Sequence, residues 1–338
     1  MLRCLKLNSV LFLYYLLIAF PLFYFVYKYS TPYGGMIDFF DYYKLYESMD
    51  IHAADSPLNM RLLSSFFVYV LNKTGLVYNT ITQIDNAPFQ KSIYFNAVFL
   101  NYLWVVLTCM MIYHLARKRG QSVLLSLFMG TLYILGFGTI FFELMPLADA
   151  MAVFLFTVFL WYYYRKSSWV VIPLFLLIFQ REYLLLAIIL LSFLDFWKTK
   201  DRYFLYNVVL SCLFFGLYVL LRKLYFETPR YAHHTSGTFM MNAIIKNHFP
   251  LLPFVRQTVM TLNISLIYLG VILYKKVNGL SFQKYEFYKI TLLFAQIVVL
   301  AVLLGLGNNT GRYYYMVLPL VLLLIGDEVM GLLGSSEK

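Results

Sequence analysis

The residues of this chain that could do chemistry are charges set inside or beside apolar runs, where a charge is costly unless it has a task. Asp38 and Asp41 stand three apart in Met36-Ile37-Asp38-Phe39-Phe40-Asp41-Tyr42-Tyr43, which puts both carboxylates near one face of a helical turn. One of them could act as the general base that takes a proton from an acceptor hydroxyl; two solvated acids, or a helix cap, would have the same spacing. Arg61 follows Pro57 within the apolar stretch 58–71. It either snorkels to an interface or grips a phosphate or carboxylate with its planar guanidinium.

Three later breaks carry the other candidates. Glu143 and Asp149 flank the turn at Pro146, and Asp149 either caps the following helix or points into a chamber beside Asp38. Gln180-Arg181-Glu182-Tyr183 interrupts two apolar runs abruptly, so its charges either neutralise each other or offer Arg181 to a phosphate. Gly307-Asn308-Asn309-Thr310-Gly311-Arg312-Tyr313 precedes the last apolar run. Arginine at a helix N-terminus opposes the helix dipole, and a bound anion would account for it. His233 and His234 lie in a loop with too few further ligands to define a metal site, which leaves a divalent metal open as a cofactor. Asn72, Asn263 and Asn308 match the glycosylation-acceptor pattern, with Asn263 expected to be buried in a span. No P-loop, GxSxG, HExxH or dinucleotide fingerprint occurs, which argues against ATP-driven transport and soluble-type hydrolysis.

The elements that must position these residues are membrane helices. Of 338 residues 62% are hydrophobic and 13% charged, about half the charged share of a soluble domain, and the mean hydropathy is +0.72. Apolar runs at 9–27, 93–115, 122–142, 150–164, 168–180, 183–197, 203–221, 258–274, 289–306 and 313–328 predict an all-α, polytopic protein of about ten spans. Residues 1–338 form a single integral membrane domain with large outer loops at about 28–92 and 222–257. The stretch after Pro57, closed by Asn72-Lys73-Thr74-Gly75, reads as a helix lying in the interface with its apolar side toward lipid. The net charge of +11 is dispersed in short clusters, so its simplest role is topological rather than nucleic-acid binding. With the N-terminus inside, 15 of the 27 Lys and Arg residues fall in inner segments that are short and dense in charge. Both termini are therefore expected in the cytoplasm, and every candidate above on the outer face. Cys4, Cys109 and Cys212 offer no CxxC spacing and no disulfide framework.

In order along the chain, Asp38 and Asp41, then Pro57 and Arg61, then Asp149, Arg181-Glu182 and Gly311-Arg312-Tyr313 with Pro319 resemble the spaced features of the GT-C superfamily of membrane glycosyltransferases. The likeness spans most of the chain in layout, through short and degenerate motifs, and the large soluble outer domain of some relatives does not occur. The resemblance implies transfer of a sugar from a polyprenyl-phosphate-linked or diphosphate-linked donor to a glycan, lipid or protein acceptor at the extracytoplasmic face. A bacterial inner membrane and a role in cell-envelope polysaccharide synthesis would suit it. It implies that Asp38 or Asp41 is the base. Arg61, Arg181 and Arg312, with Glu143, Asp149, Glu182 and Tyr313, would then bind the substrate. Two other classes stay open on the residues alone: a polysaccharide polymerase or flippase of lipid-linked glycans, and a noncatalytic assembly subunit.

Overall fold

The computed structural model describes residues 2–29, 37–54, 58–75, 90–226, 251–303 and 310–335. The described residues are mostly helical, with no strand among them. The helices are α1 Leu2–Tyr29, α2 Ile37–Ser48, α3 Leu62–Lys73, α4 Lys91–Lys118, α5 Val123–Leu135, α6 Asp149–Tyr164, α7 Val171–Ile178, α8 Tyr183–Thr199, α9 Arg202–Leu221, α10 Leu251–Val277, α11 Lys284–Leu303, α12 Thr310–Met316 and α13 Leu318–Ser335. Each expected apolar run thus contains a helix. Three stretches, Leu7–Lys28, Ser92–Lys118 and Arg202–Phe226, are long and apolar enough to cross a membrane by length and composition.

Local chemistry explains most boundaries. The Ser122 hydroxyl accepts from the Leu125 N–H at 3.3 Å to start α5, and the Asp201 carboxylate accepts from the Tyr203 N–H at 2.9 Å to start α9. Gly120, with φ +87°, supplies the left-handed residue that turns the chain after α4. The run 122–142 is not one helix. It breaks at Gly136 and continues into a π-helical turn, Thr139–Glu143, and the Tyr315 ring lies against Gly136 and Gly138 where any Cβ would collide with it. The last run is likewise divided at Val317 into α12 and α13.

The outside of the bundle is apolar. Val10, Leu13 and Leu17 of α1 and Leu213 and Leu220 of α9 are among many large exposed hydrophobic residues. A surface of this kind suits lipid rather than water. On α3, Phe66, Phe67 and Val70 are exposed while Ser64 and Ser65 are buried, so the outward side of this helix is its apolar one.

Polar side chains gather instead at two ends. At one end Asp195 accepts from Tyr163 at 2.6 Å, Tyr285 at 2.7 Å and Lys289 at 3.2 Å, tying α6, α8 and α11 together. Lys275 pairs with Glu328, and Arg119 with Asp327, which joins α4 and α10 to α13. The candidate site lies at the other end, so successive helices run between a lysine-rich layer and an arginine layer.

Candidate functional site

The arginine layer is assembled by hydrogen bonds that pin chain breaks against one another. Gln180 holds two of them: its Oε1 accepts from the Ser64 N–H at 3.2 Å, and its Nε2 donates to the Ala148 carbonyl at 2.5 Å. The Leu63 N–H donates to the Phe179 carbonyl at 3.3 Å. The start of α3, the start of α6 and the break before α8 therefore meet, bringing Arg61, Asp149 and Arg181 together. Asn101 of α4 donates to the carbonyls of Met145 and Leu147, and Tyr46 of α2 donates to that of Pro146 at 3.1 Å, which fixes the turn before Asp149.

Asp149 is fully buried between two arginines: its Oδ1 forms an ion pair with Arg181, and its Oδ2 accepts a hydrogen bond from Arg312 Nε. Its place in the first turn of α6 also suits the positive end of the helix dipole. Of the two roles weighed for it from sequence, the cap is not the one it plays: Ala148 holds the cap position of α6 without a side-chain bond, and Asp149 turns to the arginines instead. Arg61 is 5% exposed, Arg181 2% and Arg312 7%. Arginine at such burial is rare without paired charge.

Arg61 differs from its sequence expectation. It lies between the short 3₁₀ turn Leu58–Met60 and α3 rather than within a helix, and it is buried rather than snorkelling. Its Nη1 donates to the Tyr42 hydroxyl, with the guanidinium carbon 5.8 Å from that ring. Tyr183 and Tyr313 close another side, with ring centroids 4.2 Å apart. Glu182 is half-buried and close enough for its charge to bear on Arg61 and Tyr313.

The other expected residues fall as follows. Glu143 is buried and accepts from the Tyr133 hydroxyl beside Tyr315, so it faces phenols rather than the arginines. Asp41 pairs with Lys44 at 3.3 Å near the surface of α2. Asp38 stands one turn before Tyr42 in α2, and its side chain lies outside the described residues, as do Pro57, His233, His234 and Asn308. Asn263, expected inside a span, is exposed on α10, and the Asn72 amide is tied to the Tyr46 carbonyl at 3.2 Å. Among the described residues no three His, Cys, Asp or Glu side chains gather where a metal ion could be held.

Sequence reasoning missed Tyr42, Tyr46, Gln180 and Asn101. Gln180 carried a signal, an amide side chain at the sharpest break in the chain; buried tyrosines in a chain with 31 of them carried none.

Several buried donors remain available. Arg61 Nε, Arg181 Nε and the Tyr183 hydroxyl have no hydrogen-bond partner among the described residues. Beyond Tyr183 and Tyr313 lies an apolar slot lined by Leu184, Ala187, Ile297, Leu300 and Val317, with Gln296 as its polar residue. The spare guanidinium donors are of the kind that bind an anion, whereas the slot, about 40 Å³, has room for only a small group. No protein-family model, curated protein or solved structure matches the chain.

Proposed function

We propose that this protein is a multi-span membrane glycosyltransferase of GT-C type, transferring a sugar from a polyprenyl-phosphate-linked donor to an acceptor at the extracytoplasmic face. The observation that carries the reading is the convergence of three buried arginines, Arg61, Arg181 and Arg312, around one buried carboxylate, Asp149. Three guanidinium groups around one buried carboxylate suit an anionic ligand, and the lipid-facing exterior of the bundle suits a ligand carried by the membrane.

Depth supports the same reading. In this reading ten segments cross the membrane with both termini in the cytoplasm, and Arg165 and Lys166 mark the inner boundary at the end of α6. The 16 residues of α6 span roughly 24 Å, less than the roughly 30 Å of hydrocarbon, so Asp149 would lie slightly below the outer boundary. A carrier phosphate at headgroup level can reach that depth, whereas a soluble nucleotide sugar would have to leave water.

In transfer, the acceptor oxygen bonds to the anomeric carbon, the bond from that carbon to the phosphate oxygen breaks, and the acceptor proton passes to a base. Negative charge grows on the departing phosphate, where preorganised guanidinium donors lower the barrier. The base is assigned to Asp38 or Asp41 of α2, the helix whose Tyr42 bonds Arg61. Asp38 is favoured by register, standing one turn from Tyr42, while Asp41 is engaged by Lys44.

The test is transfer by purified protein supplied with a panel of polyprenyl-phosphate sugars, alongside Asp38→Asn, Asp41→Asn, Arg61→Ala and Arg312→Ala variants that retain the wild-type melting profile. Activity should fall about a hundredfold or more on loss of the base or an arginine. Transfer untouched by all four substitutions would sink the assignment. A folded protein inert toward every donor would move the chain to the assembly-subunit class.

A further inference from the structure

We infer that the inner rim of the bundle, in the orientation proposed above, holds an anionic glycerophospholipid, its phosphate on Lys118 and Arg165 and an acyl chain along the seam between α4 and α6. This place lies at the other end of α6 from Asp149, apart from the arginine site.

The headgroup end is marked by two cations gathered on one ring. Lys118 closes α4 and Arg165 follows α6. The Lys118 ammonium lies 5.7 Å and the Arg165 guanidinium carbon 4.3 Å from the centroid of the Trp161 ring. Each contact is favourable by itself, but two like charges brought to one indole repel. No carboxylate pairs with either of them among the described residues, and both are exposed. Their neighbours in sequence are engaged elsewhere: Arg117 donates to the Gln121 carbonyl, Arg119 pairs with Asp327, and Lys166 pairs with Asp201 at 2.5 Å. A lipid phosphate bound at Lys118 and Arg165 offsets their repulsion, and the indole beneath them suits headgroup level.

The seam supplies the place for a chain. On α6, Phe154, Val158 and Trp161 are half-buried at a helical spacing that ends on Arg165. On α4, Trp104 and Met111 are half-buried on a stripe of spacing seven that ends on Lys118. The two stripes meet at their far end, where the Trp104 and Phe154 rings lie 5.1 Å apart and Phe67 of α3 packs on Trp104 at 5.5 Å. From Lys118 to Trp104 the helix rises roughly 21 Å, more than the roughly 15 Å of hydrocarbon in one leaflet, so the stripe is long enough for an acyl chain. Cations at one end and half-buried apolar side chains along the rest fit a membrane lipid better than a soluble anion.

The experiment uses the full chain, stripped of lipid in a neutral detergent, and measures binding of dioleoyl phosphatidylglycerol and dioleoyl phosphatidylcholine by native mass spectrometry. Wild type should bind phosphatidylglycerol about tenfold tighter. Lys118→Gln combined with Arg165→Gln should remove about that factor. Lys200→Gln combined with Arg202→Gln takes the same charge from exposed residues between α8 and α9 and should change the affinity by less than about twofold. Equal losses in the two double variants would mark diffuse surface attraction and overturn the inference, as would equal affinity of wild type for the two lipids. Displacement by glycerol 3-phosphate at matching concentration would make the headgroup alone the ligand and overturn the seam. Farnesyl methyl phosphate, a mimic of the donor proposed for the arginine site, should leave phosphatidylglycerol bound at equal concentration. Full displacement by it would put both ligands in one place and overturn a separate rim site.

Discussion

Arg181 and Asp149 form an ion pair in which neither side chain is more than 2% exposed, and they come from chain breaks 32 residues apart. Removing one member of such a pair strands the other's charge in a low-dielectric interior. Asp149→Leu is expected to destabilise the protein by about 3–5 kcal/mol, because both Arg181 and Arg312 lose their common counter-ion. Asp149→Asn keeps the shape and part of the hydrogen bonding, so its melting temperature in detergent should fall between those of wild type and the leucine variant.

Tyr42 offers a gentler way to disturb the same site. Its hydroxyl accepts from buried Arg61, so Tyr42→Phe leaves a charged donor short of a partner at a cost of about 1–3 kcal/mol. Farnesyl methyl phosphate affinity should weaken in this variant while the helical circular dichroism stays unchanged. Unaltered affinity would mean that Arg61 is held in place without the phenol.

Gly138 makes room for the Tyr315 ring, two residues beyond Tyr313. Gly138→Ala would force Tyr315 aside and should lower stability by about 1–3 kcal/mol. The contrast is Gly216→Ala on exposed α9, where the added methyl meets open space and no loss of melting temperature is expected. Equal losses in the two variants would refute the packing explanation.

The lysine-rich end should affect stability without affecting the ligand. Lys289 donates to Asp195 and pairs with Glu286 at 2.7 Å, so Lys289→Ala leaves two acids short of a cation. A loss of about 3–5 kcal/mol is expected, with phosphate-ester affinity unchanged in the fraction that remains folded. A coupled change in affinity would show that the two polar layers communicate.

Acid should weaken a contact between the ends of α6 and α9. The Lys166 ammonium beside Asp201, at 2.5 Å, and then the Tyr203 N–H hold the Asp201 carboxyl below its usual range. A carboxyl whose folded value is depressed contributes stability above its unfolded value, about 3.9, and that contribution is lost as pH falls through the folded value. The melting difference between wild type and Asp201→Asn should therefore be present at neutral pH and vanish in acid. It should also shrink in high salt, because the pair is exposed to solvent.

The residues differ in how plainly their sequence context announced them. Asp149, Arg181 and Arg312 stood at sharp interruptions of apolar runs, and the cost of a buried charge made them conspicuous. Glu143 looked equivalent to Asp149 across the same turn, yet the π-helical end of its segment aims it at Tyr133. No local pattern distinguishes those two acids, because the difference lies in which neighbours the turn faces. Tyr42 was hidden for the opposite reason: as one of many aromatic residues, it becomes a site residue only when α2 packs against the start of α3.

By itself the sequence determined that this chain is built of apolar helices and where most of them end, but not the breaks at Gly136 and Val317. Both follow from local physics, since an apolar run must hide its backbone polar groups in helical hydrogen bonds and a charge or glycine ends the run. Only the tertiary structure decided which breaks meet. The joining of Arg61, Asp149, Arg181 and Arg312 depends on Gln180 bridging to Ser64 and Ala148, contacts across 116 and 32 residues. Charge sets the cost of burial for each residue alone, but whether that cost is offset depends on partners that only the packed bundle supplies.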